Sequence, residues 1–584
     1  MPASSHRPAV RVLVVALLLA AVAPCVATAA PSTWTGGGGS GLWGTTSNWG
    51  LTPAPSTSGT FSLVFGGTTQ TIGTNNVGAV AIGALSFTNS GTLAANQNRF
   101  FSITGGTLAL QNASITTTAA LGGSFTTNSD GDTISSPMTL SGTTSFSLGA
   151  LHSMSLAGAM SGGGGVAFDN VSSGTMHAYL SGSNSYTGGT LINGCFVQTA
   201  VRSTAGASNN SALGSGAVTI SDNGTLLVRN ASVVTNAIIA SGTGMSGSSL
   251  VGSFGAASQT AEVRGGVTLA GDTQFSTVST AASDITSKLM VSGPVDLGAN
   301  TLSLQSGIRG GLTVGLWIEV SGAVTGAGNI VVNGVGSGSR VLMTAANSYS
   351  GLTTVTAGTL ALSGSGSIGT GGLNLGTTGS SGVFDLAGLT AGSYSLPATG
   401  NLTGVGTLSG SGKSLAVLGS FLPGNSPGTV TVGSGLTLDL SQSGTSVFEI
   451  TSPAFTAGTF DLVDGTGNVT FGGVLSLVFS GGTYADGFNV DQIFANTGGR
   501  SGIFSAVNAT GLAPGQSATF DPATGTISIV PEPSACSLAA IAALGMAMIR
   551  TARRGTWRGG GDPERTAAAV PPARRRRGAS TGRR

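Results

Sequence analysis

Residues able to do acid–base or metal chemistry are few in this 584-residue chain. It has three histidines, His6, His152 and His177, and neither of the last two has a Cys, Asp or Glu at metal-ligand spacing. Asn128-Ser129-Asp130-Gly131-Asp132 opens like a calcium loop but lacks the bidentate Glu that completes one, so it reads as a turn. No Gly-x-Ser-x-Gly elbow or phosphate-cradling glycine loop stands between a strand and a helix. The densest acidic group is Asp439, Glu449, Asp461 and Asp464. Four such carboxylates suit general acid–base cleavage of a polysaccharide only if a basic residue or a second acid reaches them from a neighbouring element, and no basic residue is near in sequence. Cys195 reads as a small turn or core residue, with no disulfide framework in the body. The residues therefore predict no catalytic, cofactor or metal site.

The elements that would position any such group are short strands. Gly, a β-former, an apolar residue, a spacer and a second apolar residue recur as Gly106-Thr107-Leu108-Ala109-Leu110, Gly224-Thr225-Leu226-Leu227-Val228, Gly358-Thr359-Leu360-Ala361-Leu362 and, in shortened form, Gly435-Leu436-Thr437-Leu438. A strand of about five residues cannot bury its apolar side alone, so many must stack. The composition agrees: 99 Gly, 7% charged and 5% aromatic residues are unlike a globular enzyme, while 40% hydrophobic content is too high for a disordered chain. The irregular spacing argues against a fixed-period propeller and for coils carrying loops of different length. The fold class predicted is all-β, a right-handed parallel β-helix of about 20 coils at roughly 20 to 25 residues each.

Charge is unevenly placed. Of 22 Lys and Arg, 2 lie in the first 29 residues and 11 from Arg550 onward, and 3 of the 20 acids lie outside the body, which leaves the body at about −8. That balance gives no support to nucleic-acid binding.

Asn184-Ser185-Tyr186-Thr187-Gly188-Gly189-Thr190-Leu191-Ile192-Asn193-Gly194 returns as Asn347-Ser348-Tyr349-Ser350-Gly351-Leu352-Thr353-Thr354-Val355-Thr356-Ala357. Each copy reads as a turn feeding one strand, with Asn184, Gly188, Asn347 and Gly351 expected at positive φ and Tyr186 and Tyr349 supplying apolar area. The repeat resembles the autotransporter-associated β-strand repeat. It departs from that pattern at Cys195, which stands where the second copy has Gly358. Phe421-Leu422-Pro423-Gly424-Asn425-Ser426-Pro427-Gly428 resembles the double turn that closes the repeat region in such proteins. The opening cluster of Trp34, Trp43 and Trp49 is expected to cap the first coil, with carbohydrate stacking as the functional alternative.

Arg7 and Arg11, the apolar run from Val12 to Ala23 and Ala27-Thr28-Ala29 have the form of an export signal cut after Ala29. At the other end, Pro531-Glu532-Pro533 precedes an apolar run of 15 residues, Ala535 to Ile549, and then Arg550, Arg553 and Arg554. That order resembles the PEP-CTERM sorting signal read by exosortases. The resemblance implies a short transmembrane helix held transiently in the inner membrane, with arginines inside, followed by processing. The basic stretch from Gly555 to Arg584 departs from the family, whose chains stop soon after the arginines.

The predicted organisation is a signal peptide at 1–29, a Trp-rich cap at 30–60, a β-helix at 61–447 with repeats near 180–200 and 343–362, a terminal β segment at 448–530, the sorting signal at 531–554 and a disordered basic tail at 555–584. The function expected is that of an exported, non-enzymatic cell-surface or matrix protein of structural or adhesive type. Its implied partners are an exosortase and an extracellular polysaccharide. The alternatives are a polysaccharide lyase or hydrolase built on the same fold, and an autotransporter-like passenger, which requires a C-terminal barrel of amphipathic strands.

Overall fold

The computed structural model describes residues 30–532, apart from 51–52, 67–70, 89–100, 118–130, 150–152, 171–176, 201–207, 280–285, 308–315, 336–337 and 425–426 and positions 222, 246, 378, 380, 488 and 491. The leader, Pro533, the apolar run, Arg550, Arg553, Arg554 and the basic tail lie outside the described residues, as do His6 and His152. Among the described residues there is no α-helix, and none is long and apolar enough to cross a membrane.

Strands make up 53% of the described residues and stack in long parallel sheets, the architecture of a β-solenoid. In one column Ser32–Trp34 pairs with Thr60–Phe65 and that strand with Val80–Phe87, continuing through Gly165–Asn170, Thr190–Asn193 and Val218–Ile220. A second column runs from Ile72–Asn75 through Asp132–Ile134 and His177–Leu180 to Thr225–Arg229 and Leu250–Phe254. A third opens at Val233–Val234 and climbs through Thr260–Val263, Lys288–Val291, Trp317–Val320 and Arg340–Met343. Each strand faces one roughly 20 to 33 residues away, as Phe65 faces Phe87 and Val430 faces Val463. The variable step is absorbed by loops at the corners.

Period-two alternation explains why these sequences stack. In Thr445–Ile450 and Val474–Phe479 every second residue is buried, and in the recurring glycine units Leu108, Leu110, Leu226, Val228, Leu360, Leu362, Leu436 and Leu438 all point inward with no exposure. Each such side chain removes its apolar surface from water only because the strands above and below continue the row, worth about 1.5 to 3 kcal/mol per residue. The parallel stack continues past residue 448, with Val474–Phe479 pairing Ala506–Thr510 and Asn468–Phe471 pairing Arg500–Gly502.

Both ends are closed by aromatic plugs. At the start, Trp34, Trp43 and Trp49 are at most 1% exposed, with ring centroids 5.0 Å (Trp34 to Trp49) and 5.7 Å (Trp43 to Trp49) apart over Phe65. The chain doubles back there, so that Thr35 N–H donates to Asn48 O and Gly50 N–H to Thr33 O, covering the first strand edge. With every ring buried, none of the three offers a face to a sugar. At the far end the pairing changes direction. Among the described strand pairs only those of Thr526–Pro531, with Gln516–Asp521 and with Asn489–Val490, are antiparallel. Ile527 and Ile529 of this small sheet are fully buried, and Phe520 meets Phe471, Phe494 and Phe504 at 5.1 to 5.7 Å.

Candidate functional site

Between the plugs, the repeat turns are the most strongly specified feature. Asn184 and Asn347 are not among the non-glycine residues at positive φ, which are Asn112, Asn230, Ser258, Phe455 and Gln492. The expectation that these asparagines occupy left-handed corners is therefore corrected, and their side chains show the reason for the residue type. Asn184 Oδ1 accepts the Met160 N–H at 2.9 Å, 24 residues back, while its Nδ2 donates to Ala212 O at 2.6 Å, 28 residues on. Asn347 repeats the arrangement, accepting from Val324 N–H at 2.8 Å and donating to Ser367 O at 2.6 Å. The amide carries an acceptor and a donor on one short planar group, so one side chain pins three successive coils at a corner where the backbone has left the ladder.

Gly188 and Gly351 are likewise not at positive φ. A Cβ on Gly188 would lie 2.4 Å from Gly164 C, and one on Gly351 2.1 Å from Gly328 O. These glycines are required by the closeness of the backbone stacked beneath them. Each tyrosine is buried with its hydroxyl against a threonine four residues on: Tyr186 to Thr190 Oγ1 at 2.6 Å, Tyr349 to Thr353 Oγ1 at 2.7 Å. Burial pushes both phenols up to about 12, so neither ionises near neutrality. A glycine of the next coil lies on each ring, since a Cβ on Gly214 would come 2.9 Å from Tyr186 Cδ2 and one on Gly369 2.4 Å from Tyr349 Cδ2.

Cys195 is fully buried, donates its thiol to Phe168 O at 3.5 Å, and is pushed up to about 12 by desolvation. The left-handed residue in this copy is Gly194, at φ 71°, one position before the Gly358 equivalent at φ 75°.

Sequence spacing did not reveal the related bridges. Asn209 Nδ2 donates to Gly182 O at 2.8 Å and Asn236 Nδ2 to Gly216 O at 2.7 Å, in corners without the tyrosine motif. An asparagine a few residues before a strand was the available signal, and it is too common to single them out.

Of the acidic group near the closing turn, Asp461 and Asp439 hold backbone amides, while Asp464 Oδ1 is buried without a hydrogen-bond partner among the described residues. Asp461 is 3% exposed, and its two carboxylate oxygens accept the N–H groups of Gly428 and Glu449, each at 2.8 Å. It thereby ties the turn that begins at Pro423 and Gly424, where φ is 93°, to the strand carrying Glu449. Desolvation pushes its carboxyl up to about 7 against the pull of those two amides. Asp439 caps its own turn by accepting from Ser441 N–H at 2.9 Å. Asp132, the described acid of the calcium-like stretch, accepts the Phe101 N–H at 2.9 Å. His177 stacks on Phe196 with centroids 4.8 Å apart. Among the described residues no three His, Cys, Asp or Glu side chains gather where they could hold a metal.

Of the residues expected to form a sorting motif, Pro531 and Glu532 are described. Thr526–Pro531 is the central strand of the terminal sheet, Pro531 faces Gln516, and Glu532 N–H donates to Gly515 O at 2.7 Å. Both residues are exposed. No protein-family model and no curated protein matches this chain.

Proposed function

We propose that this chain is an exported, non-enzymatic surface or matrix protein whose body is a right-handed parallel β-helix. In this reading the leader directs export, Ala535 to Ile549 halts in the inner membrane with Arg550, Arg553 and Arg554 inside, and an exosortase cuts near Pro531-Glu532-Pro533. The body then joins the cell surface or an extracellular polysaccharide matrix. The observation that carries the reading is the exit of the chain: a solenoid sealed at both ends delivers exposed Pro531 and Glu532 immediately before the apolar run and its arginines. The structural part is supported by Asn184, Asn347 and Asp461, whose side chains are engaged with backbone N–H groups of neighbouring coils.

A Glu532→Ala variant in the producing cell tests this. Fractionation should move the protein from the surface and matrix to the inner membrane. An unchanged distribution would remove the sorting reading. Reproducible cleavage of pectin or alginate, lost in a folded Asp464→Ala variant, would replace the structural reading with an enzymatic one.

A further inference from the structure

We infer that the outer face of the second strand column carries a binding cleft for a neutral glycan chain lying along the solenoid axis. Such a cleft seats a polysaccharide directly on the body and owes nothing to how the chain is exported or sorted.

Outward side chains of a flat parallel sheet stand in solvent, yet Phe196 is 5% and Val251 7% exposed, and the face is hollowed into a cavity of about 350 Å³. Its floor is a register row. Leu227 faces Val251, Val251 faces Ser276 and Ser276 faces Gln305, one side chain from each of four consecutive coils, and all four line the cavity. Phe196 lies one coil nearer the N-terminal end, backed by His177 in register with it, the rings 4.8 Å apart and 13° from parallel. Val335, paired with Gly307, contributes from the opposite end. At about 4.8 Å per coil the cleft is on the order of 24 Å long.

None of the described lining residues carries a charge. Their polar side chains are hydroxyls and an amide, and some are already oriented: Gln274 Nε2 donates to Ser248 Oγ at 3.1 Å and to Gln305 Oε1 at 2.6 Å. That leaves Gln305 Nε2 and the Ser276 hydroxyl without a hydrogen-bond partner among the described residues. A fitting ligand therefore sets an apolar surface against Phe196, Leu227, Val251 and Val278, offers oxygens to Ser276 and Gln305, and carries no charge. A sugar ring has that pattern, a C–H face with a rim of hydroxyls. An acidic polymer finds no cation on these walls for its carboxylates. An acyl chain leaves Ser276 and Gln305 desolvated with nothing to bond. An extended peptide needs an open strand edge, and Leu250–Phe254 and Val267–Ser279 are paired on both sides.

The full chain, in a zwitterionic detergent that has no sugar headgroup, is titrated by calorimetry with neutral hexasaccharides of glucose and of mannose, and with an acidic hexamer of guluronate. A neutral hexamer should bind saturably at one site, and guluronate at least about tenfold more weakly. Gln305→Ala, which removes one donor at the cleft wall, should weaken binding about five- to tenfold. Val251→Trp fills the cavity from an outward position and should abolish binding, with an unfolding midpoint within error of wild type. Should that bulkier side chain prevent folding, Gln305→Ala decides. No saturable binding by any neutral hexamer overturns the assignment, as does binding that both variants leave intact. Guluronate held as tightly as the neutral sugars overturns it too, and so does hexadecanoate retained in their place by native mass spectrometry. All of these results leave export and sorting to the Glu532→Ala test.

Discussion

Replacing Asn184 with glycine separates two accounts of the repeat turn. If the asparagine were there to tolerate a left-handed backbone, glycine would serve as well or better. In the structure its φ is not positive, and its side chain holds Met160 N–H and Ala212 O from the coils on either side. Asn184→Gly removes both bonds in a site 5% exposed and leaves a buried donor and a buried acceptor without partners. Each lost bond costs about 1 kcal/mol net and each stranded group about 1 to 3, and the freer backbone adds about 0.5 to 1. Allowing for overlap between these terms, the expected loss is roughly 2 to 4 kcal/mol. Amide hydrogen exchange reads it locally. Protection of the Met160 amide should fall by roughly 30- to 700-fold, while amides of the N-terminal coils, which touch neither partner, keep theirs. Asn184→Asp keeps the acceptor but sets a carboxylate against Ala212 O, and should lose at least as much. Met160 protection unchanged in the glycine variant, with an unfolding midpoint within error of wild type, would refute the bridging account.

Trp49→Ala, which removes the ring central to the N-terminal plug and the Nε1–H bond to Trp43 O at 2.8 Å, should cost about 3 to 5 kcal/mol and speed exchange in Thr60–Phe65 first. Gly369→Ala forces a Cβ onto the Tyr349 ring and should cost about 1 to 3 kcal/mol in guanidinium unfolding, whereas Gly163→Ala, with nothing within 4 Å, should be nearly neutral. Asp461 gives a pH signature. Its folded carboxyl titrates at about 7, above the ordinary 3.8, so the folded state holds the extra proton between those values and stability falls as pH rises through that window, by at most about 1.4 kcal/mol per pH unit. Asp461→Asn should abolish that slope while setting an amide N–H against a backbone N–H, and a slope that survives the substitution would assign it elsewhere.

The inward rows were legible because period-two alternation is local: Leu108 with Leu110 and Leu360 with Leu362 announce a buried face whichever strands lie next to them. The tryptophan plug could be read from the rarity of the residue. The role of Asn184 could not, because its partners Met160 and Ala212 are set by register between coils whose lengths vary with their loops. Nor could the reason for Gly188, since a backbone passing 2.4 Å from its absent Cβ belongs to another coil. The terminal antiparallel sheet escaped for a different reason. Ile527 and Ile529 alternate just as they would in a parallel strand, and alternation carries no information about direction.

The central claim, that a sealed β-solenoid is exported and freed from a C-terminal membrane signal, is tested most directly by the intact mass of the protein recovered from the surface or matrix of the producing cell. The account predicts a species that begins after Ala29 and ends near Pro531-Glu532-Pro533, lacking the apolar run and Arg550 to Arg584. A surface form whose mass includes the chain through Arg584 would contradict it.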